Sequence, residues 1–244
     1  MGWRTSIPKK PCMTQSVSRN SEIARKIDHT LLKPTLTRAE LEAHCREAAE
    51  WRFATVCIPP CWVSESATLL RGTDVGTITV VGFPLGYSHS ATKAFEARRA
   101  IDEGASEIDL VVNLSRIKSA QWEEVESDIA DTVRACAGIP VKVIIETAYL
   151  TGEEKVSAAL AAERAGAAFV KTSTGFATGV PVSGATIEDI RLLRKTLAPT
   201  TRIKASGGIR DLAGALALIE AGADRLGTSS GVTLLKGLSA GGVY

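Results

Sequence analysis

The chain has no apolar run approaching the roughly 18 residues needed to cross a bilayer, so no segment reads as a transmembrane helix. It also lacks an excess of charge of either sign, with a formal net charge of +2. Whole-chain charge therefore points to neither nucleic acid nor an anionic membrane, and an anionic ligand would need a local site. No cysteine framework is present. Cys12, Cys45, Cys57, Cys61 and Cys136 are odd in number and scattered. Cys57 and Cys61 form C-x-x-x-C without a second ligand pair, which favours free thiols in a reducing cytoplasm over zinc or disulfides. The three histidines, His29, His44 and His89, are far apart and form neither H-x-H nor H-E-x-x-H, so no metal is expected. His44 falls inside a helical stretch and reads as a surface residue. His29 and His89 follow strands, where substrate contact and ordinary loop polarity explain them equally. Neither G-x-x-x-x-G-K-[ST] nor G-x-G-x-x-G occurs, and no nucleotide cofactor is expected.

Residues 1 to about 20 carry Pro8, Pro11, Arg4, Lys9, Lys10, Arg19 and many Ser and Thr, with no apolar period. They lack the apolar core of a secretory signal. They read as a disordered extension or as the product of an upstream start, with Met13 an alternative first residue. A transit peptide would share their basic composition. Residues 21–237 read as one domain and 238–244 as a flexible tail.

From Ile23 a strand–helix beat begins. Expected strands are 27–32, 54–58, 77–83, 107–112, 141–146, 169–172, 202–205 and 224–227. Each is followed by a helical stretch, the first opened by the capping-box pattern Thr37-Arg-Ala-Glu40. One helix is expected over about 120–136. Three helices close on similar phrases around Gly104, Gly166 and Gly222, each a left-handed C-cap candidate. Eight alternations in 244 residues predict an α/β protein, a single (β/α)8 barrel.

In such a barrel the reacting groups sit at the C-terminal strand ends. Two phrases stand out: Phe169-Val-Lys-Thr-Ser-Thr-Gly175 and Arg202-Ile-Lys-Ala-Ser-Gly-Gly208. Each puts a lysine in an apolar strand, where burial penalises an ammonium. Adjacent strands lie about 4.8 Å apart, so the two nitrogens could approach within about 6 Å. At an effective dielectric of about 20 their repulsion is about 3 kcal/mol, a drop of about two pKa units for one of them. Burial acts in the same direction. Lys171 would then be a free amine that attacks a carbonyl, and Lys204 an ammonium that tunes it and passes protons. The bland alternative has each lysine reaching water or pairing with Asp109 or Glu146. Asp109, inside an apolar strand, is either a proton shuttle or half of a buried salt bridge. Asp28, Thr30 and Cys57 are further pocket candidates at strand ends.

Small polar residues follow strands six to eight: Thr174, Gly175, Gly207, Gly208, Gly227, Ser229 and Ser230, with Arg210 a nearby charge. Their backbone N–H groups suit a phosphate.

Seven phrases in order, Ile27-Asp-His-Thr-Leu-Leu-Lys-Pro34, Ala54-Thr-Val-Cys57, Val81-Gly-Phe-Pro-Leu-Gly86, Glu107-Ile-Asp-Leu-Val-Val-Asn113, Phe169 to Phe176, Ile203 to Arg210 and Gly227 to Ser230, resemble the deoxyribose-phosphate aldolase family. The resemblance covers residues of about 23 to 237. It implies a metal-free, cytoplasmic, Schiff-base aldolase. Such an enzyme reversibly cleaves 2-deoxy-D-ribose 5-phosphate to acetaldehyde and D-glyceraldehyde 3-phosphate in deoxyribose phosphate catabolism. It implies Lys171 as the imine-forming residue, Asp109 and Lys204 as the proton donor and acceptor, phosphate on the loops after strands six to eight, and a homodimer or homotetramer. Some relatives carry a base where this chain has Phe176. Some have tyrosine-ended tails that reach the active site, which bears on Tyr244. Other Schiff-base phosphosugar aldolases or transaldolases, a phosphosugar isomerase using Asp109 and Glu146, and a phosphosugar-binding sensor are the alternatives.

Overall fold

Short β-branched runs separated by helices can pair only in parallel, because each helix carries the chain back to the starting edge. Eight strands do so: Ile27–Thr30 (β1), Thr55–Ile58 (β2), Gly76–Val81 (β3), Glu107–Val111 (β4), Val141–Ile144 (β5), Phe169–Lys171 (β6), Arg202–Ser206 (β7) and Arg225–Thr228 (β8). They pair in chain order, and β8 returns to β1 to close the barrel. The computed structural model describes residues 20–181 and 183–239; the expectations for residues 1–19, Met13 and Tyr244 lie outside the described residues. Residues 20–24, at the edge of the segment expected to be disordered, are helical.

The intervening helices are Arg38–Trp51 (α1), Val63–Leu69 (α2), Ser90–Asp102 (α3), Leu114–Lys118 (α4), Trp122–Ala135 (α5), Gly152–Arg164 (α6), Ile187–Thr196 (α7), Leu212–Glu220 (α8) and Gly231–Leu235 (α9). The Thr37–Glu40 capping box forms at α1, and a second, Thr151–Glu154, opens α6. Gly104, Gly166 and Gly222 all take positive φ, as their helix-end phrases predict. The helix expected over 120–136 forms as α5, and a short helix that was not expected, α4, precedes it. The Asn113 side chain accepts the Arg116 N–H at 3.3 Å and starts α4, and Ala120, at φ 53°, ends that helix before α5 begins.

Alternation along the strands makes two different interiors. Outward residues such as Val56, Ile108, Leu110, Val143, Val170, Ile203 and Leu226 pack under the helices into one apolar core. Each such side chain contributes about 1.5–3 kcal/mol when fully buried. Inward residues form only a small apolar group, Cys57, Ile78 and Val80. Charged residues face the same interior: Asp109 stands in register with Lys142, Lys171 with Lys204, and Lys204 with Arg225. Unpaired, each buried charge would cost several kcal/mol, so the barrel closes only if they compensate one another. Phe169, 1% exposed, floors the N-terminal end, with the Arg202 guanidinium 3.9 Å from its ring centroid.

Candidate active site

Asp109 sits at the centre. It faces inward between outward Ile108 and Leu110 on β4, and it is fully buried. Its Oδ2 accepts hydrogen bonds from Lys171 Nζ and Lys204 Nζ, each at 2.7 Å. Its Oδ1 accepts from Lys142 Nζ at 3.1 Å. The expected lysine pair is therefore together, with the expected acid between its members.

Burial acts against the charge of every group here, and the balance differs from one to the next. For Lys171, burial dominates. With Lys204 adding repulsion, it holds the amine below its usual value despite Asp109. Lys204 is equally buried, but Asp109 and Asp28 together outweigh burial and hold its ammonium well above the usual value. Burial likewise opposes the Asp109 carboxylate, yet Lys142, Lys171 and Lys204 keep it far below the ordinary range.

Sequence reasoning missed Lys142, Glu107 and Arg225. Lys142 pairs with Glu107 and Asp109 and lies 4.0 Å from Asp28. The signal was available, since Val141-Lys-Val-Ile144 puts an ammonium in an apolar strand just as the other two lysine phrases do. Asp28 contacts Lys204 at 2.5 Å and Arg225 at 2.6 Å, and accepts the Thr55 hydroxyl at 2.7 Å. Its partners all come from inside the barrel. Buried Thr30 donates to the Asp28 carbonyl at 3.0 Å. Cys57 lines the apolar wall; burial, helped by Asp109, pushes its thiol up to about 11, so it stays neutral.

Above this centre lie the C-terminal loops. Thr174 donates its N–H to Glu146 at 2.9 Å and its hydroxyl to the same oxygen. Glu146 itself has a left-handed backbone, φ 52°. Gly175 and Gly207 also have positive φ, and a Cβ on Gly207 would come within 2.9 Å of the Gly184 Cα. The loops after β6 and β7 thus meet through glycine, a contact no side chain permits. Gly208 follows with positive φ, Arg210 and Ser229 are exposed, and Ser230 is half-buried at the start of α9. Gly227 lies in β8, within the expected strand 224–227 and not in the loop after it, in register with Ser206 and Asp28. Phe176 packs edge-on against Phe83, with ring centroids 5.2 Å apart.

The histidine reading needs correction. His44 is buried, because it shares the inner face of α1 with Leu41, Cys45 and Ala48. Its ring stacks on His29 with centroids 3.9 Å apart, and its Nε2 donates to the His29 carbonyl at 3.0 Å. His29 is in β1 rather than after it, and bonds Glu47 through Nε2 at 2.9 Å. Distance along the chain had argued against any shared histidine cluster, yet His29, His44 and Glu47 bring ligand-type atoms within 4.8 Å of one another. This group lies between β1 and α1, outside the ring of lysines. His89 is elsewhere, at the start of α3.

A closed parallel barrel with interior lysines sharing one carboxylate defines a class, the barrel enzymes with a lysine–carboxylate centre. Within that class, the chain belongs to the DeoC/LacD family of aldolases, whose family model matches residues 23–241. A deoxyribose-phosphate aldolase of Carboxydothermus hydrogenoformans is 50% identical over 229 residues, covering 92% of this chain and 99% of the relative. The solved structure of an aldolase described as QR15 is 39% identical, with a TM-score of 0.83, covering 88% and 94% of the two chains. That of a deoxyribose phosphate aldolase from Aeropyrum pernix, described as a unique tetramer, is 32% identical, with a TM-score of 0.81, covering 91% and 94%.

Proposed function

We propose that this aldolase reversibly cleaves 2-deoxy-D-ribose 5-phosphate to acetaldehyde and D-glyceraldehyde 3-phosphate through an imine on Lys171. The observation that carries the reading is the shared Asp109 oxygen, 2.7 Å from both lysine nitrogens, in a chain of this family. The named relatives supply the substrate.

In the open-chain sugar, the neutral Lys171 amine attacks C1. The carbinolamine loses water to give the protonated imine, with protons handed over by Asp109 and Lys204 through water. Removal of the C3 hydroxyl proton breaks the C2–C3 bond. Its electron pair moves onto C2 and into the C–N unit, forming an enamine and releasing glyceraldehyde phosphate. Protonation at C2 and addition of water then free acetaldehyde and restore the amine. Lys204, held as an ammonium by two carboxylates, is the local positive charge that favours loss of the Lys171 proton. The phosphate sits against the loops bearing Thr174, Gly175, Gly207, Gly208, Ser229 and Ser230, with Arg210 at the rim and Phe176 where some relatives have a base. The assembly is a homo-oligomer, in keeping with the tetramer described for the Aeropyrum relative. No helix among the described residues is long and apolar enough to cross a membrane; we assign the enzyme to the cytoplasm.

Borohydride reduction with acetaldehyde or deoxyribose 5-phosphate, followed by peptide mass mapping, tests this. The expected adduct is on Lys171. An adduct on Lys204 would exchange the lysine roles, and no adduct in folded protein would remove the imine mechanism. Trapping with ketose phosphates but not with the deoxyribose ester would change the substrate.

A further inference from the structure

Six charged side chains inside the barrel close a ring. Arg225 contacts Asp28 at 2.6 Å, Asp28 contacts Lys204 at 2.5 Å, and Lys204 contacts Asp109 at 2.7 Å. Asp109 contacts Lys142 at 3.1 Å, Lys142 contacts Glu107, and Glu107 returns to Arg225 at 3.4 Å. Cation and anion alternate all the way round. Four of the six side chains are 0% exposed; only Arg225 and Glu107, at 13% and 15%, have an edge near solvent. Lys171 hangs off this ring by the Asp109 oxygen that Lys204 also uses.

We propose that the ring selects Lys171 as the free amine, and that Lys142 and Glu107 are positioning residues that fix its charge balance without touching substrate. The inference rests on the imine reading above and explains why that lysine, among the buried ones, is the nucleophile. Three cations and three carboxylates already balance. An ammonium on Lys171 would be a fourth cation against three carboxylates in a site shielded from water, where uncompensated charge is strongly disfavoured. One group must give up a proton. Arg225 does not do so in proteins. Lys204 faces two carboxylates, Asp28 and Asp109. Lys142 faces Glu107 and Asp109, with Asp28 at 4.0 Å. Lys171 faces Asp109 alone among the ion pairs of the site. Of the other groups near it, Cys57 is a neutral thiol and Glu146 is engaged by Thr174. The low proton affinity of Lys171 beside the high one of Lys204 agrees with this order.

The ring makes predictions of opposite sign. Lys142→Met leaves three carboxylates facing two cations, so the Lys171 proton becomes the missing third and is kept to higher pH. Glu107→Gln leaves three cations facing two carboxylates, and the Lys171 proton is lost at lower pH. The double variant balances two against two. The experiment is the pH dependence of borohydride trapping with acetaldehyde, and of cleavage, for wild type, both single variants and the double, with circular dichroism as the folding control. The acid limb is expected to move up by about one pH unit in Lys142→Met, down by about one in Glu107→Gln, and back towards wild type in the double. Lys142→Arg keeps the charge and is expected to leave the limb in place. It decides the matter with Glu107→Gln should Lys142→Met not fold. Limbs that stay put, or that move the same way in both single variants, overturn the proposal. Wild-type protein that traps nothing on Lys171 removes the imine reading instead, so the two failures are distinguishable.

Discussion

Gly227 lies hard against Lys204: a Cβ at residue 227 would sit 3.0 Å from the Lys204 Cε and 2.5 Å from the Ser206 hydroxyl oxygen. The absence of a side chain on β8 is what lets the lysine cross to Asp28 and Asp109. Gly227→Ala is expected to keep the barrel while displacing Lys204 or Ser206. Because misplacement by about 1 Å costs on the order of 100-fold in rate, kcat should fall by about that factor with a modest loss in Tm. Steady-state kinetics beside a thermal melt checks this, and unchanged kinetics would mean that Ser206 alone gives way.

Asp109→Asn should damage more than chemistry. From sequence alone, that variant is expected to fold normally and only lose rate. The carboxylate, however, receives three lysines, and its loss leaves the Lys142 and Lys204 ammonium groups without the carboxylate they share. Breaking a buried pair costs about 3–5 kcal/mol, so the urea midpoint should fall together with activity. A variant as stable as wild type would show that the lysines shed protons to relieve the repulsion.

Glu146→Ala should act on substrate affinity first. Glu146 ties down the Thr174 N–H and hydroxyl at the loop assigned to phosphate. Its loss is expected to raise KM for the phosphorylated sugar by about tenfold, the weight of one charge-assisted hydrogen bond, with a smaller change in kcat. An equal fall in kcat with KM unchanged would place Glu146 in the chemical step.

Acid should weaken the α1–β1 packing through His44. Burial, with His29 adding repulsion, pushes His44 down to about 3 from an unfolded value of 6.5. The unfolded chain takes up this proton first, so stability is complete above 6.5 and is lost as pH falls from there towards 3. The slope is about 1.4 kcal/mol per pH unit. The hydrogen bond to the His29 carbonyl and the Glu47 carboxylate act the other way on His44 and limit the shift. In chemical denaturation from pH 7 to pH 4, His44→Leu should fall less steeply than wild type.

The fold was legible because its signals are local. Thr37–Glu40, the glycines at helix ends and the β-branched runs each act within a few residues, and all are realised. Lys171, Lys204 and Asp109 were legible because an ionic group in an apolar strand is conspicuous. Lys142 gives the same signal, but the fifth strand carries no Ser-Gly loop to draw attention to it. The His29–His44 stack was not legible, since it depends on how α1 lies over β1. Nor was the contact of Gly227 with Lys204 and Ser206, because it depends on the register between β7 and β8.

The Phe169 floor has an electrical consequence. Dissolved ions screen charges within about 8 Å at physiological ionic strength, but only where water reaches. The three lysines, Asp28 and Asp109 are buried above Phe169, whereas Arg210 stands in solvent at the open rim. Salt should therefore separate two halves of one reaction. Capture of the phosphorylated sugar weakens as ionic strength rises, while the proton affinity of the Lys171 amine stays where the barrel set it.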